Sequence, residues 1–176
     1  MKSQTIPEGF ELLPTPSGVI IRKIWLSWTI APLILFAVVW DGFLFSWYRK
    51  ALLMPHGAPL MQILFPIGHL AVGIGLTYYI IASFVNKTDI TIAPSSIANV
   101  TGPFPWFGNK RVEVADITDI IVRERSGNKG SISYVVMYVD RSLKERSFTS
   151  GISKKEQAEF IVSKVREITG LKKEEA

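Results

Sequence analysis

Two residues in this chain stand where ionisable groups are costly. Asp41 and His69 each interrupt a long apolar run, and a carboxylate beside an imidazole can hold or pass a proton. Counted from the middle of the segment between the runs, Asp41 lies about 12 residues before and His69 about 16 after; at about 1.5 Å per residue their depths differ by about 6 Å. Tilt or a kink at Pro66 would close that gap and give an intramembrane polar pair. Otherwise Asp41 snorkels toward the interface near Tyr48. A second constellation places Phe104, Trp106 and Phe107 just before Lys110 and Arg111 in a loop rich in Gly and Pro. Rings at headgroup depth with cations on anionic lipid would make it a membrane-interface or partner loop. The alternative is that the rings plug the end of a sheet. A third feature is the small-residue face Gly68, Ala71, Gly73 and Gly75, which lets a second helix approach closely.

Enzyme patterns do not accompany these residues. No phosphate loop, Gly-x-Ser-x-Gly elbow or His-Glu-x-x-His occurs. The absence of cysteine excludes a disulfide framework, a thiolate zinc site and a cysteine nucleophile, and two histidines cannot build a His-rich metal centre. His56 falls in the segment between the runs, with no partner for base catalysis. The expectation is a noncatalytic protein with no cofactor and no metal.

The elements that carry these residues follow from the distribution of charge. Ile24 to Tyr48 is a 25-residue run whose one charge is Asp41, and Ala58 to Val85 is a 28-residue run with none. A membrane-spanning helix needs about 20 apolar residues. Trp25, Trp28, Trp47 and Tyr48 flank the first run, and Tyr78 and Tyr79 lie near the end of the second, as interfacial rings do. The reading is a transmembrane helix over 24–48, a short linker over 49–57 and a transmembrane helix over 58–85. An antiparallel hairpin of this kind puts both termini on one side. Arg22, Lys23, Lys87, Lys110 and Arg111 favour the cytoplasm for that side, with Arg49 and Lys50 opposing.

Beyond residue 86 the pattern changes to period two. Strands are expected at Asp89–Ile92, Ile97–Val100, Lys110–Val114, Ile117–Arg123, Ser131–Val139 and Leu143–Thr149, separated by turn residues such as Ser126-Gly127-Asn128-Lys129-Gly130. Ala158, Ile161, Val162, Val165 and Ile168 form a helical stripe, with Ser153 and Glu156 as a capping box and Gly170 as the stop. Residues 86–170 thus form a tail domain and 171–176 a charged end. The N-terminal segment, residues 1–23, contains a Pro-Thr-Pro-Ser-Gly turn beside Val19-Ile20-Ile21 and could add strands to the tail sheet.

A two-span hairpin followed by Ile90-Thr91-Ile92, Gly102-Pro103-Phe104-Pro105, Asp116-Ile117-Thr118-Asp119-Ile120 and a terminal helix resembles bacterial membrane proteins with a pleckstrin-homology-like domain. The resemblance implies an α+β fold: a membrane α-helical hairpin plus an antiparallel barrel or sandwich closed by the C-terminal helix. It also implies the bacterial cytoplasmic (inner) membrane and a platform for protein contacts. Inositide-binding members carry several Lys/Arg in the loop joining the first two strands; the turn Ala93-Pro94-Ser95-Ser96 has none. The tail carries 15 Lys+Arg against 12 Asp+Glu, a net charge of +3, which argues against nucleic acid. The expected partners are membrane lipids and either a membrane protein or further copies of this chain. The leading expectation is an accessory subunit of a larger membrane complex. A lipid-sensing module built on the 102–111 loop is the alternative, and a proton-relay or transport component using Asp41 and His69 the third.

Overall fold

The computed structural model describes residues 5–54, 57, 59–127 and 130–172. In chain order the elements are β1 (Phe10–Thr15), β2 (Gly18–Ile24), α1 (Ala31–Leu52), α2 (Leu60–Leu64), α3 (Ile67–Val85), β3 (Lys87–Ile92), β4 (Ser96–Gly102), β5 (Lys110–Glu113), β6 (Ile117–Ser126), β7 (Ile132–Asp140), β8 (Glu145–Ile152) and α4 (Lys155–Thr169). Single 3-10 turns precede α1 at Trp28–Ile30 and separate β5 from β6 at Val114–Asp116. The chain forms two compact units: Trp25–Asn86, and Met1–Ile24 together with Lys87–Ala176.

The helical unit holds two stretches long and apolar enough to cross a membrane, Trp28–Leu52 and Leu60–Val85, each only 11% buried. A core helix of a water-soluble protein hides most of its apolar surface; these expose Leu35, Val38, Val39, Phe45, Val72 and Ile74. The first helix starts later than hydropathy suggests. Ile24 and the residues before it are strand, Ser27 caps the 3-10 turn, and α1 carries a proline in its first turn. Proline fits there because a first-turn N–H has no intrahelical acceptor. At the other end Arg49 and Lys50, expected in the linker, occupy the last turn of α1, where cations complement the exposed carbonyls. The second stretch is broken at Phe65-Pro66. Proline offers no N–H to the Gln62 carbonyl, and the Trp47 indole N–H donates to that oxygen instead, at 3.1 Å. Tyr48 O–H donates to the neighbouring Ile63 carbonyl at 3.3 Å. Pro55 and His56 of the expected linker, and Ala58, the expected first residue of the second helix, lie outside the described residues.

Among the described residues the second unit has eight strands in two antiparallel sheets, ordered β1-β2-β3-β4-β5 and β6-β7-β8. The N-terminal segment supplies β1 and β2, and β2 pairs with β3 from Val19↔Ile92 to Ile24↔Lys87. Neighbouring strands in one sheet are therefore separated in sequence by the whole helical unit. Gly18 opens β2 because a Cβ there would overlap the Ile92 carbonyl. Arg22 donates through Nε and Nη2 to the two carboxylate oxygens of Asp89, each at 2.8 Å, directly across the β2–β3 register.

Of the expected barrel or sandwich, the antiparallel sheets are present but do not close into a barrel. β5 has four residues, after which the Val114 N–H bonds to Ser95 O and the chain turns through 3-10 geometry. β5 and β6 consequently end up in separate, open sheets. Their apolar faces share one core with α4: Ile21, Ile90, Ile92 and Ile97 from the first sheet, Ile120, Val136, Phe148 and Ile152 from the second, and Ala158, Ile161 and Val165 from the helix. The α4 stripe and the left-handed Gly170 (φ 73°) match the sequence pattern. The capping box does not. The N-cap is Lys154, without a side-chain cap bond, so Ser153 stands one residue too early to serve the first turn. The Gln157 side chain instead ties the start of α4 to the Glu8 carbonyl at 2.8 Å.

Candidate functional site

Within the helical unit, α1 and α3 run antiparallel, and their contact is built around Gly73. A Cβ at Gly73 would lie 2.6 Å from Asp41 Oδ1 and 3.3 Å from Leu44 Cδ1, so only glycine lets α1 seat here without a shift. Asp41 Oδ2 accepts a hydrogen bond from Thr77 Oγ1 at 2.7 Å, one helical turn beyond Gly73. A hydroxyl therefore satisfies this carboxylate. His69 lies one turn before Gly73, and its ring stacks on Trp40 (5.5 Å between centroids, 27°). Phe36 continues the stack beyond Trp40 at 5.4 Å, and Phe65 flanks His69 at 5.9 Å. Trp40 N–H also donates to the His69 carbonyl at 3.3 Å.

Among the described residues no hydrogen bond or ion pair joins Asp41 to His69. His69, Gly73 and Thr77 share one stripe of α3, one turn apart; the Thr77 hydroxyl on one side of Gly73 bonds the Asp41 carboxylate, while on the other side the His69 imidazole stacks on Trp40. Trp40 and Thr77 are the contributors that sequence reasoning missed, whereas Gly73 belongs to the expected small-residue face. The signal was the spacing of four residues from His69 through Gly73 to Thr77. Of the expected small-residue face, Gly73 makes the contact with α1. Gly68, Ala71 and Gly75 are exposed, and an added Cβ at Gly68 or Gly75 meets nothing within 4 Å. They leave the α1 contact to Gly73.

The aromatic-basic loop joins β4 to β5 and is braced by asparagines. Asn109 accepts from the Thr101 N–H at 2.8 Å, and Asn99 Nδ2 donates to Gly108 O at 3.2 Å. Trp106 meets Phe107 edge to face at 6.4 Å. Phe107 is 93% exposed and Phe104 37%. The neighbouring cations turn back onto the protein. Lys110 Nζ donates to Ser147 O at 2.7 Å and lies 5.8 Å from the Tyr138 ring centroid. Arg111 reaches Ser96 Oγ at 3.2 Å and Glu113 at 3.3 Å. The loop thus presents a ring outward while its cations brace the sheets. Lys23 behaves like Lys110: its Nζ donates to Gly151 O at 2.5 Å, and burial pulls it below the ordinary lysine range. Two lysines of the first sheet therefore hold carbonyls of β8.

Among the described residues no group of three or more His, Cys, Asp or Glu could hold a metal ion. No family model and no curated protein sequence matches the chain.

Proposed function

We propose that this chain is a noncatalytic integral membrane protein whose tail, a pleckstrin-homology-like domain, acts as a protein-interaction platform. In this reading it is an accessory subunit of a larger complex in the bacterial cytoplasmic membrane, with both termini cytoplasmic. The observation that carries the proposal is the Ile24↔Lys87 pairing. The apolar hairpin leaves the sheet through one strand and returns through its neighbour, so the two ends of the hairpin are tied to adjacent strands of one sheet. Strand-rich order ending in a helix supports the pleckstrin-like comparison, although the first sheet gains two N-terminal strands and remains open.

The test is affinity purification of the full chain from gently solubilised native membranes, with co-purifying chains identified and counted. A stoichiometric partner, or a homo-oligomer by mass in native-lipid particles, is expected. A monomer with no companion would overturn the reading. Lipid sensing is the second reading, favoured by the 93% exposure of Phe107. It predicts that the protein in particles recruits anionic vesicles and that Phe107→Ala abolishes the recruitment.

A further inference from the structure

β6 is the outer strand of its sheet: it pairs with β7 and, among the described residues, has no strand on its other side. An open edge exposes backbone donors and acceptors to any extended chain. Here the edge is treated differently along its length. At Ile120 it is plugged. The Ile120 N–H bonds to Asp119 Oδ1 at 2.7 Å, and Arg166 Nη2 from α4 donates to the Ile120 carbonyl at 2.8 Å and to Asp119 Oδ1 at 2.9 Å. Those bonds show which way the Ile120 backbone points. Because direction alternates along a strand, the backbone groups of Val122 and Glu124 also point outward. No side chain among the described residues bonds them. Val122 is half-buried and Glu124 exposed.

Alongside this open stretch runs a groove of about 420 Å³ between β6 and α4, lined by Val122, Glu124, Tyr134, Glu159, Val162 and Arg166 among others. Glu159 is paired with Lys155 at 3.5 Å. Glu124 has no hydrogen bond or ion pair among the described residues. Backbone groups on the edge and a groove with an apolar floor at Val122 and Val162 that ends at the Glu124 carboxylate make the parts of a strand-addition site. A second copy of β6 is a poor occupant. Antiparallel self-pairing sets Arg123 against Arg123 or Glu124 against Glu124, and like charges directly opposite are destabilising.

We infer that the open edge of β6 from Val122 to Ser126 binds an extended segment of a protein partner as an added strand. That segment carries an apolar side chain over Val122 and, two residues along, a Lys or Arg over Glu124. The Asp119–Arg166 plug sets one limit of the site and so fixes the register. The inference rests on the platform reading and assigns that platform its surface.

The probe is a random dodecapeptide library selected on the full chain in lipid nanodiscs, with the best binders then made synthetically. The expected binders show the apolar–x–basic pattern. Their binding falls about tenfold on N-methylation at alternate residues and stays within about twofold at the residues between. Val122→Pro, which removes an outward N–H without touching the β7 ladder, should abolish binding. Glu124→Lys should also abolish it, and exchanging the peptide's basic residue for Glu should restore it. Selection without binders, binders lacking period-two sensitivity, or binding indifferent to both variants would overturn the inference. So would a dimer dissociated by Val122→Pro, which would give the edge to a second copy. A native partner that co-purifies equally with both variants would refute the edge and leave the platform reading standing. Native membranes yielding no partner would refute the platform itself.

Discussion

A carboxylate between two apolar helices needs a donor, and at Asp41 the donor is the Thr77 hydroxyl at 2.7 Å. That bond is interhelical, so its strength reads out as coupling between the two sites. We expect the Asp41→Ala and Thr77→Val cycle, measured by detergent unfolding of the full chain, to show a coupling of about 1 kcal/mol. The matching cycle with His69→Ala should be additive within about 0.5 kcal/mol. A His69 coupling as large as that of Thr77 would reinstate the proton-sharing pair. Asp140 makes a second residue-scale case, in the strand-rich unit. The Arg146 guanidinium at 2.7 Å, aided by the backbone N–H groups of Lys144 and Ser142, holds its carboxyl below the ordinary value of 3.8. The folded state therefore binds this proton less readily than the unfolded chain. Its stabilising contribution is complete above the ordinary value and is lost as pH falls through the lower folded one. Asp140→Asn keeps an acceptor for the turn but removes the charge. The strand-rich unit's stability should then vary less with pH across about pH 5 to 2, followed by urea unfolding; an unchanged acid limb would contradict the assignment.

At the scale of elements, the β7–β8 turn carries a visible fault. Leu143 adopts φ 59°, in the left-handed region, and its side chain is 75% exposed. Its N–H bonds back to Asp140 O at 2.9 Å, so the turn is held while the leucine contributes little packing. Leu143→Asn should therefore stabilise the strand-rich unit by about 0.5–1 kcal/mol, and a lower melting temperature would refute this. Sequence could suggest this turn from Asp140-Arg141-Ser142, but not the backbone angle at Leu143. Elsewhere legibility follows the strength of the local period. β3 to β8 alternate, α4 has a clear stripe, and all of these were readable. The start of α1 was not, because Ile24, Trp25 and Leu26 are equally apolar as strand or helix, and the decision comes from pairing with β3, which lies remote in sequence. The short β5 and the turn after it decided that the sheets stay open, which alternation alone does not encode. At the candidate site, Asp41 and His69 announced themselves by charge, whereas their partners depended on helix rotation.

Viewed as a whole molecule, the chain is a sheet interrupted by two helical stretches long and apolar enough to cross a membrane, and the interruption falls at a place where a tight turn would suffice. Ile24 N–H bonds to Gly9 O at 3.3 Å, on the β1 side, so by alternation Lys23 and not Ile24 exchanges hydrogen bonds with β3. Lys23 is opposite Thr88 in the register. A two-residue Asn-Gly turn closes a hydrogen-bonded pair of this kind with the twist that antiparallel strands require. Residues 1–23 joined through Asn-Gly to 88–176 should therefore fold into a soluble, cooperatively melting domain that keeps both sheets and α4. Residues 86–176 alone should be weaker. They lack Phe10, Val19 and Ile21, which are 8%, 8% and 0% exposed in the core, and β3 is left as an unpaired edge. Losing three such side chains costs of order 5 kcal/mol, comparable with the whole stability of a small domain. Circular dichroism and urea unfolding of the two chains, side by side, provide the measurement. Equal stability would mean that β1 and β2 are dispensable decoration. An excised chain that fails to fold while 86–176 folds would mean that the β2–β3 pairing does not hold in solution, and the account of the hairpin as an insertion into one sheet would fall with it.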